Sequence, residues 1–239
     1  METTALIVVI LGIFFGNFVQ TVIGFAGALV AIPILLLVIG LTDAISYVTI
    51  FYAISSVYLA RKEWKDIDKN TVVSIIISSL IGIALGTWVL TFGNPQFLKR
   101  ALGIFILIYV VYTYFDKKET RNISKLKFLF GFLGGFSSSL FSIGGPMYVI
   151  IVRGVTSNIK IFRATMFGIL AVVTVIRIPA LAFTGLLDGT HLYYSLYIFP
   201  FFVLSIFLGK KMFDVLNENV FKKILLVLLL LSGLMLTFK

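Results

Sequence analysis

Gly131-Phe-Leu-Gly-Gly-Phe-Ser-Ser-Ser-Leu-Phe-Ser-Ile-Gly-Gly-Pro146 lies inside an apolar segment flanked by Lys127 and Arg153. A helix cannot run smoothly through its end, because Gly costs about 1 kcal/mol in a helix interior and Pro about 3. Pro has no N–H to donate, yet it suits the first position of a new helix. The stretch therefore predicts a helix, a break, and a second helix opening at Pro146. Exposed to lipid, such a break would strand backbone polar groups; it is tolerated where protein buries it or where it lines a cavity. Broken helices near mid-membrane are where transporters hold their substrates.

A second stretch of the same kind lies upstream, Gly16-Asn-Phe-Val-Gln-Thr-Val-Ile-Gly-Phe-Ala-Gly-Ala-Leu-Val-Ala-Ile-Pro33. A shift of 118 residues sets Gly16 on Gly134, Gln20 on Ser138 and Gly27 on Gly145. Farther along, Phe97-Leu-Lys-Arg-Ala resembles Val220-Phe-Lys-Lys-Ile at a shift of 123. The chain reads as two copies of one unit, with the same broken element early in each.

Composition sets the solvent. The 239 residues are 60% hydrophobic and 13% charged, too apolar for a soluble domain, and apolar runs of membrane-spanning length recur throughout. The expected class is an all-α integral membrane protein, multi-pass in the cell membrane, with the lipid bilayer as its partner. Met1-Glu2-Thr3-Thr4 lacks the positive n-region of a signal peptide. With no cysteine, disulfides, haem attachment and thiolate metal sites are excluded. The net charge of +10 sits in short loops between apolar runs, which is topological signalling rather than a nucleic-acid surface.

Residues 4–40 would make roughly 55 Å of helix, too long for one span, so a break near Gly24–Gly27 is expected. Spans follow at 42–60, 71–92, 96–115, 159–184, 192–209 and 220–238. Whether 128–152 crosses once or turns back is decided by charge. If it turns back, loops 61–69, 117–127, 153–163 and 210–223 share one side and carry 16 of the 20 Lys and Arg. The opposite side holds Lys99, Arg100 and Lys239, with Arg177 inside a span. A single crossing would leave a nearly even split. Cytoplasmic loops are rich in Lys and Arg, so the expectation is a re-entrant pair and two inverted-topology repeats. Each is a broken re-entrant pair plus three transmembrane helices, within a single domain, 1–239. Repeat one covers 1–115, a cytoplasmic linker 116–127, and repeat two 128–239; both termini lie outside. A homo-oligomer is compatible with this layout.

At these residues the chain resembles the TauE/SafE sulfite-exporter family. Gly24-Phe-Ala-Gly-Ala-Leu-Val-Ala-Ile-Pro33 and Phe141-Ser-Ile-Gly-Gly-Pro-Met147 look like its paired glycine-rich signatures, and Phe162-Arg-Ala-Thr165 like the segment after the second. The first signature carries Ala26 and Ala28 where the family often has further glycines. The resemblance covers nearly the whole chain. It implies transport of small anions, chiefly sulfite, thiosulfate and organosulfonates.

The residues point to anions by themselves. A helix N-terminus carries about half a positive charge and several free N–H donors, and in low dielectric it attracts an anion. Two such ends face each other if the halves are related by symmetry. The expected substrate-binding set is Asn17, Gln20, Thr21, Gly24, Gly27, Thr49, Tyr52, Ser138, Ser139, Ser142, Gly144, Gly145, Pro146, Arg163 and Arg177, with Ser137 and Ser56 nearby. The glycines let a ligand approach backbone; close helix packing explains small residues equally well. Arg177 is the one basic residue deep in a span, a functional expectation by default, against snorkelling to the headgroups. Arg163 sits one turn inside its helix and doubles as a topology charge. Thr49, Tyr52 and Ser56 share one helix face. His191 beside Asp188 reads as a loop pair or a proton-coupling group, and Asp43 as a helix cap. Apart from Asp43 at the start of one, no Asp or Glu lies within a span. No metal, cofactor or catalytic cluster is expected, so the chain is not read as an enzyme. The expected function is secondary transport or export of a small sulfur-containing anion; an anion channel with the same lining is the alternative.

Overall fold

In the computed structural model, residues 2–115, 126–213 and 218–238 are described, with side chains in the last segment from 226 onward. Most of the expected linker 116–127 lies outside these, as do Lys118 and Lys239. The described residues form ten α-helices: α1 Thr3–Ile23, α2 Gly27–Leu35, α3 Leu41–Lys62, α4 Lys69–Phe92, α5 Pro95–Phe115, α6 Lys127–Phe141, α7 Gly145–Arg153, α8 Ile159–Phe183, α9 Gly189–Phe213 and α10 Glu218–Phe238. By length and composition, α1, α3, α4, α5, α8 and α9 can each cross a membrane. Large apolar side chains lie exposed along their outer faces, among them Ile77, Trp88, Phe92, Ile108, Leu196 and Phe207. Water would drive such surfaces together, whereas lipid solvates them. The protein is an all-α membrane protein.

Both breaks fall at paired glycines, and the second also at a proline. Gly24 ends α1 in the left-handed conformation (φ 93°), its N–H donating to the Gln20 carbonyl at 2.7 Å. Ser142 ends α6 in the same way (φ 57°), donating to the Ser138 carbonyl at 2.7 Å. Gly24 and Ser142 are 118 residues apart, as are the starts of α2 and α7, their ends, and the starts of α3 and α8. The shift becomes 123 for α5 and α10, at both ends of the pair. The left-handed residue of the second corner is Ser142, while Gly144 has φ −80°. One detail differs from expectation: α7 opens at Gly145, so Pro146 stands one residue inside the first turn, where its missing N–H costs no hydrogen bond.

The packing partners exchange between the halves. α1 packs on α9 and α6 on α4; α1 packs on α2 and α6 on α7; α3 packs on α8 and α5 on α10. The breaks are unequal in reach. α1 has 21 residues, about 31 Å, enough to cross alone. α6 has 15 residues, and α2 and α7 have 9 each, too few for a crossing.

Side chains tie the elements at two ends of the bundle. At one end Arg163, at the start of α8, pairs with Glu63, just after α3. There the Asp68 N–H donates to Thr165 Oγ1 at 3.0 Å, and Lys210 Nζ to Tyr58 Oη at 2.9 Å. At the other end Ser46 Oγ donates to the Leu186 carbonyl at 2.6 Å, and His191 Nε2 lies 3.4 Å from Asp43 Oδ1.

Candidate functional site

Arg177 decides the site. Its residue is 1% exposed, which excludes snorkelling. One Nη donates to Ser142 Oγ at 3.1 Å and to the Ser139 carbonyl at 3.3 Å, while its buried Nε has no partner. Among the described residues no carboxylate pairs with it. The guanidinium thus sits on the C-terminal corner of α6, where the dipole favours a cation. That corner offsets part of the desolvation cost, but supplies no counter-charge.

The second corner touches the first. A Cβ placed on Gly145 would lie 3.2 Å from Phe25 Cβ and 3.6 Å from the Ala26 nitrogen. The opening of α7 therefore abuts the residues just before α2. At α2 itself, a Cβ on Gly27 would overlap Tyr52 Oη and the Gly16 carbonyl, and lie 2.9 Å from Gln20 Cβ. Tyr52 is 4% exposed and its hydroxyl, aimed at the start of α2, has no partner. Gln20 donates through Nε2 to Ser56 Oγ at 2.9 Å, leaving Oε1 buried and unpaired.

Height along the antiparallel α3–α8 pair relates these groups. Tyr52 is 11 residues before Glu63, and Arg177 is 14 residues after Arg163, the partner of Glu63. The heights, about 16 and 21 Å above that ion pair, differ by less than one turn of about 5.4 Å.

The expected residues therefore divide. Arg177, Ser139, Ser142, Gly144, Gly145 and Pro146 gather at the α6–α7 corner, and Gln20, Gly27 and Tyr52 at the start of α2. Ser138 fills the space beside Gly144, where a Cβ would overlap its hydroxyl. Thr21 and Thr49 donate back to the carbonyls of Asn17 and Ile45, at 2.8 and 2.7 Å, and Thr21 abuts Gly209 of α9. Asn17 donates to the Ile13 carbonyl at 3.0 Å, its Oδ1 buried without a partner. Arg163 joins neither group. It pairs with Glu63, and its backbone packs against Gly24.

Some neighbours were not legible beforehand. Thr87 shares a 2.6 Å hydrogen bond with Ser139, and Glu63 meets Arg163 across 100 residues of sequence. At the opposite end of the bundle from that pair, the His191 N–H and then its ring hydrogen-bond Asp188 and hold that carboxyl below the usual carboxylate range. Among the described residues, no cluster of three or more His, Asp or Glu side chains fits a metal ion.

A polytopic helical membrane protein with two broken helices whose corners touch, one of them carrying a buried arginine that no carboxylate among the described residues pairs with, is the class that this geometry defines. The family model of the sulfite exporter TauE/SafE matches residues 8–236. The chain belongs to the TauE/SafE sulfite exporter family, a family of membrane transporters. No curated protein and no solved structure matches it.

Proposed function

We propose that the protein is a secondary transporter of a small sulfur-containing oxyanion, held between the two helix corners with Arg177 as its counter-charge. The observation that carries this reading is Arg177: a buried cation with an unused Nε donor and, among the described residues, no carboxylate partner. A fixed charge in a low-dielectric interior is costly unless an opposite charge arrives. The start of α2, with the free Tyr52 hydroxyl facing it, and the opening of α7 beside Phe25 add uncommitted donors and positive dipole ends. Sulfite, thiosulfate and organosulfonates present several acceptor oxygens on one small anion, the chemistry such donors serve.

The exchange of packing partners between halves, with corners 118 residues apart, supports an inverted repeat. The Glu63–Arg163 pair supports a re-entrant second element. It holds the loop before α4 and the start of α8 at one end of the bundle, whereas a single crossing by 128–152 would separate them. The repeats then oppose each other about the site, and rocking of one against the other alternates access.

Arg177→Gln tests the proposal. The variant is expected to fold, since Gln removes a costly buried charge without adding bulk, and to lose most anion binding. The measurements are melting temperature with and without thiosulfate, and thiosulfate flux in proteoliposomes. A shift on adding thiosulfate that is equal in both proteins, with unchanged flux, overturns the assignment.

A further inference from the structure

We propose that Arg163 is a second anion station, at the opposite end of α8 from Arg177, and that the Glu63 carboxylate occupies it as a built-in competitor of the transported oxyanion. This rests on the reading that an anion passes between the two halves. It adds a second stop and a residue, Glu63, with a stated role.

Glu63 presents both oxygens to the guanidinium fork: Arg163 Nη2 donates to Oε1, and Nε to Oε2 at 3.4 Å. A sulfite or sulfonate group offers the same paired oxygens with the same negative charge, so it fits the fork as the carboxylate does. The fork is not saturated. Arg163 Nη1 is buried and has no partner, a donor that a carboxylate with two oxygens leaves over and a three-oxygen anion can take. A purely structural ion pair has no reason to bury an unused donor.

The surroundings fit a station on a path. The Arg163 guanidinium lies 3.6 Å from the centre of the Phe213 ring at the end of α9. Its Cα sits 3.3 Å from where a Gly24 Cβ would be, so the first corner packs directly on it. The neighbouring Phe162 ring meets Phe25 edge-on at 6.2 Å, and Phe25 in turn lies against Gly145. The two aromatic rings thus run from the Arg163 station to the opening of α7. Arg61, Lys62 and Lys160 stand close in sequence to the pair and favour arriving anions.

Magnitudes favour exchange. Side-chain exposures of 12% and 18% leave the pair in partial contact with water, which screens it and weakens its hold. Replacing one anion by another at that guanidinium is then nearly balanced, which a transit site needs; a site that holds too tightly cannot release.

Calorimetric titration with thiosulfate tests this on the full chain. The unmodified protein is expected to show one binding event, at Arg177. Glu63→Gln is expected to add a second, or to tighten a weak one on the order of tenfold; adding Arg163→Gln removes it, and Arg177→Gln leaves it in place. Glu63→Asp keeps the charge with shorter reach and is expected to fall between; it also serves if Glu63→Gln fails to fold. An Arg163 event no stronger in either Glu63 variant than in the unmodified chain overturns the competition. Survival of the first event in Arg177→Gln would count against the Arg177 reading alone, so the two can fail separately.

Discussion

Gly27 and Gly145 stand at matching positions of the two halves, yet an added methyl meets different things. On Gly27 it overlaps the Gly16 backbone carbonyl and the Tyr52 hydroxyl, in a seam that cannot open without moving α1 off α2. On Gly145 it meets the Phe25 side chain, 3.2 and 3.3 Å away, which must give by only a few tenths of an ångström. Gly27→Ala is therefore expected to cost about 1–3 kcal/mol as overpacking and to melt early. Gly145→Ala is expected to keep the melting temperature within a few degrees and to lose flux, because the methyl intrudes between the two corners. Melting temperature and proteoliposome flux on both variants decide. An early-melting Gly145→Ala with full flux would make Gly145 a packing residue. The sequence treats these two glycines alike, since the 118-residue register equates them; what surrounds each is set by contacts made tens of residues away.

At the level of elements, the breaks were legible because their cause is local. Glycines and a proline cannot sustain a helix, and they lie where α1 and α6 end. The 118-residue shift found in the glycine-rich strings recurs in the helix boundaries, and the 123-residue shift in α5 and α10. The residue that turns the second corner was not legible. Ser142 adopts a conformation usual for Gly or Asn, while two glycines stand two and three positions on. Nor did small-residue content separate site from seam. α4 and α6 meet through Gly82, Gly86, Gly131 and Gly135, with Ser79 Oγ donating to the Gly131 carbonyl at 3.0 Å. This is the close backbone approach by which membrane helices associate, in the absence of a hydrophobic drive between them. A Cβ on Gly82 would lie 2.6 Å from the Phe136 nitrogen and overlap the Phe132 carbonyl. Gly82→Ala is thus expected to lower the melting temperature, with thiosulfate still shifting what remains folded. An unchanged melting temperature would mean that α4 and α6 pack less tightly than these distances require.

Across the whole molecule, charge and geometry bear on one topology from independent directions. Loops 61–69, 117–127, 153–163 and 210–223 carry 16 of 20 basic residues, and an excess of Lys and Arg marks the cytoplasmic side. Of these, the described parts of the first, third and fourth come together through Glu63–Arg163, Lys210–Tyr58 and the Phe213 ring over Arg163. Asp43, Leu186, Asp188 and His191 gather at the opposite end. The chain has no native cysteine, so single cysteines report without background. Lys65→Cys, Lys160→Cys and Lys211→Cys are expected to react with a membrane-impermeant thiol reagent only from the cytoplasmic side, and Asn94→Cys and Asp188→Cys only from outside. Each position lies at a helix end or in a connecting segment, so the substitution leaves the helix seams untouched. Lys160 carries most weight. A single crossing by α6 and α7 would send it to the face opposite Lys65, leaving Arg163 and Glu63 some 30 Å apart across the hydrocarbon core. Labelling of Lys65→Cys and Lys160→Cys from opposite faces would end the re-entrant reading, and with it the pair of opposed helix openings on which the anion site depends.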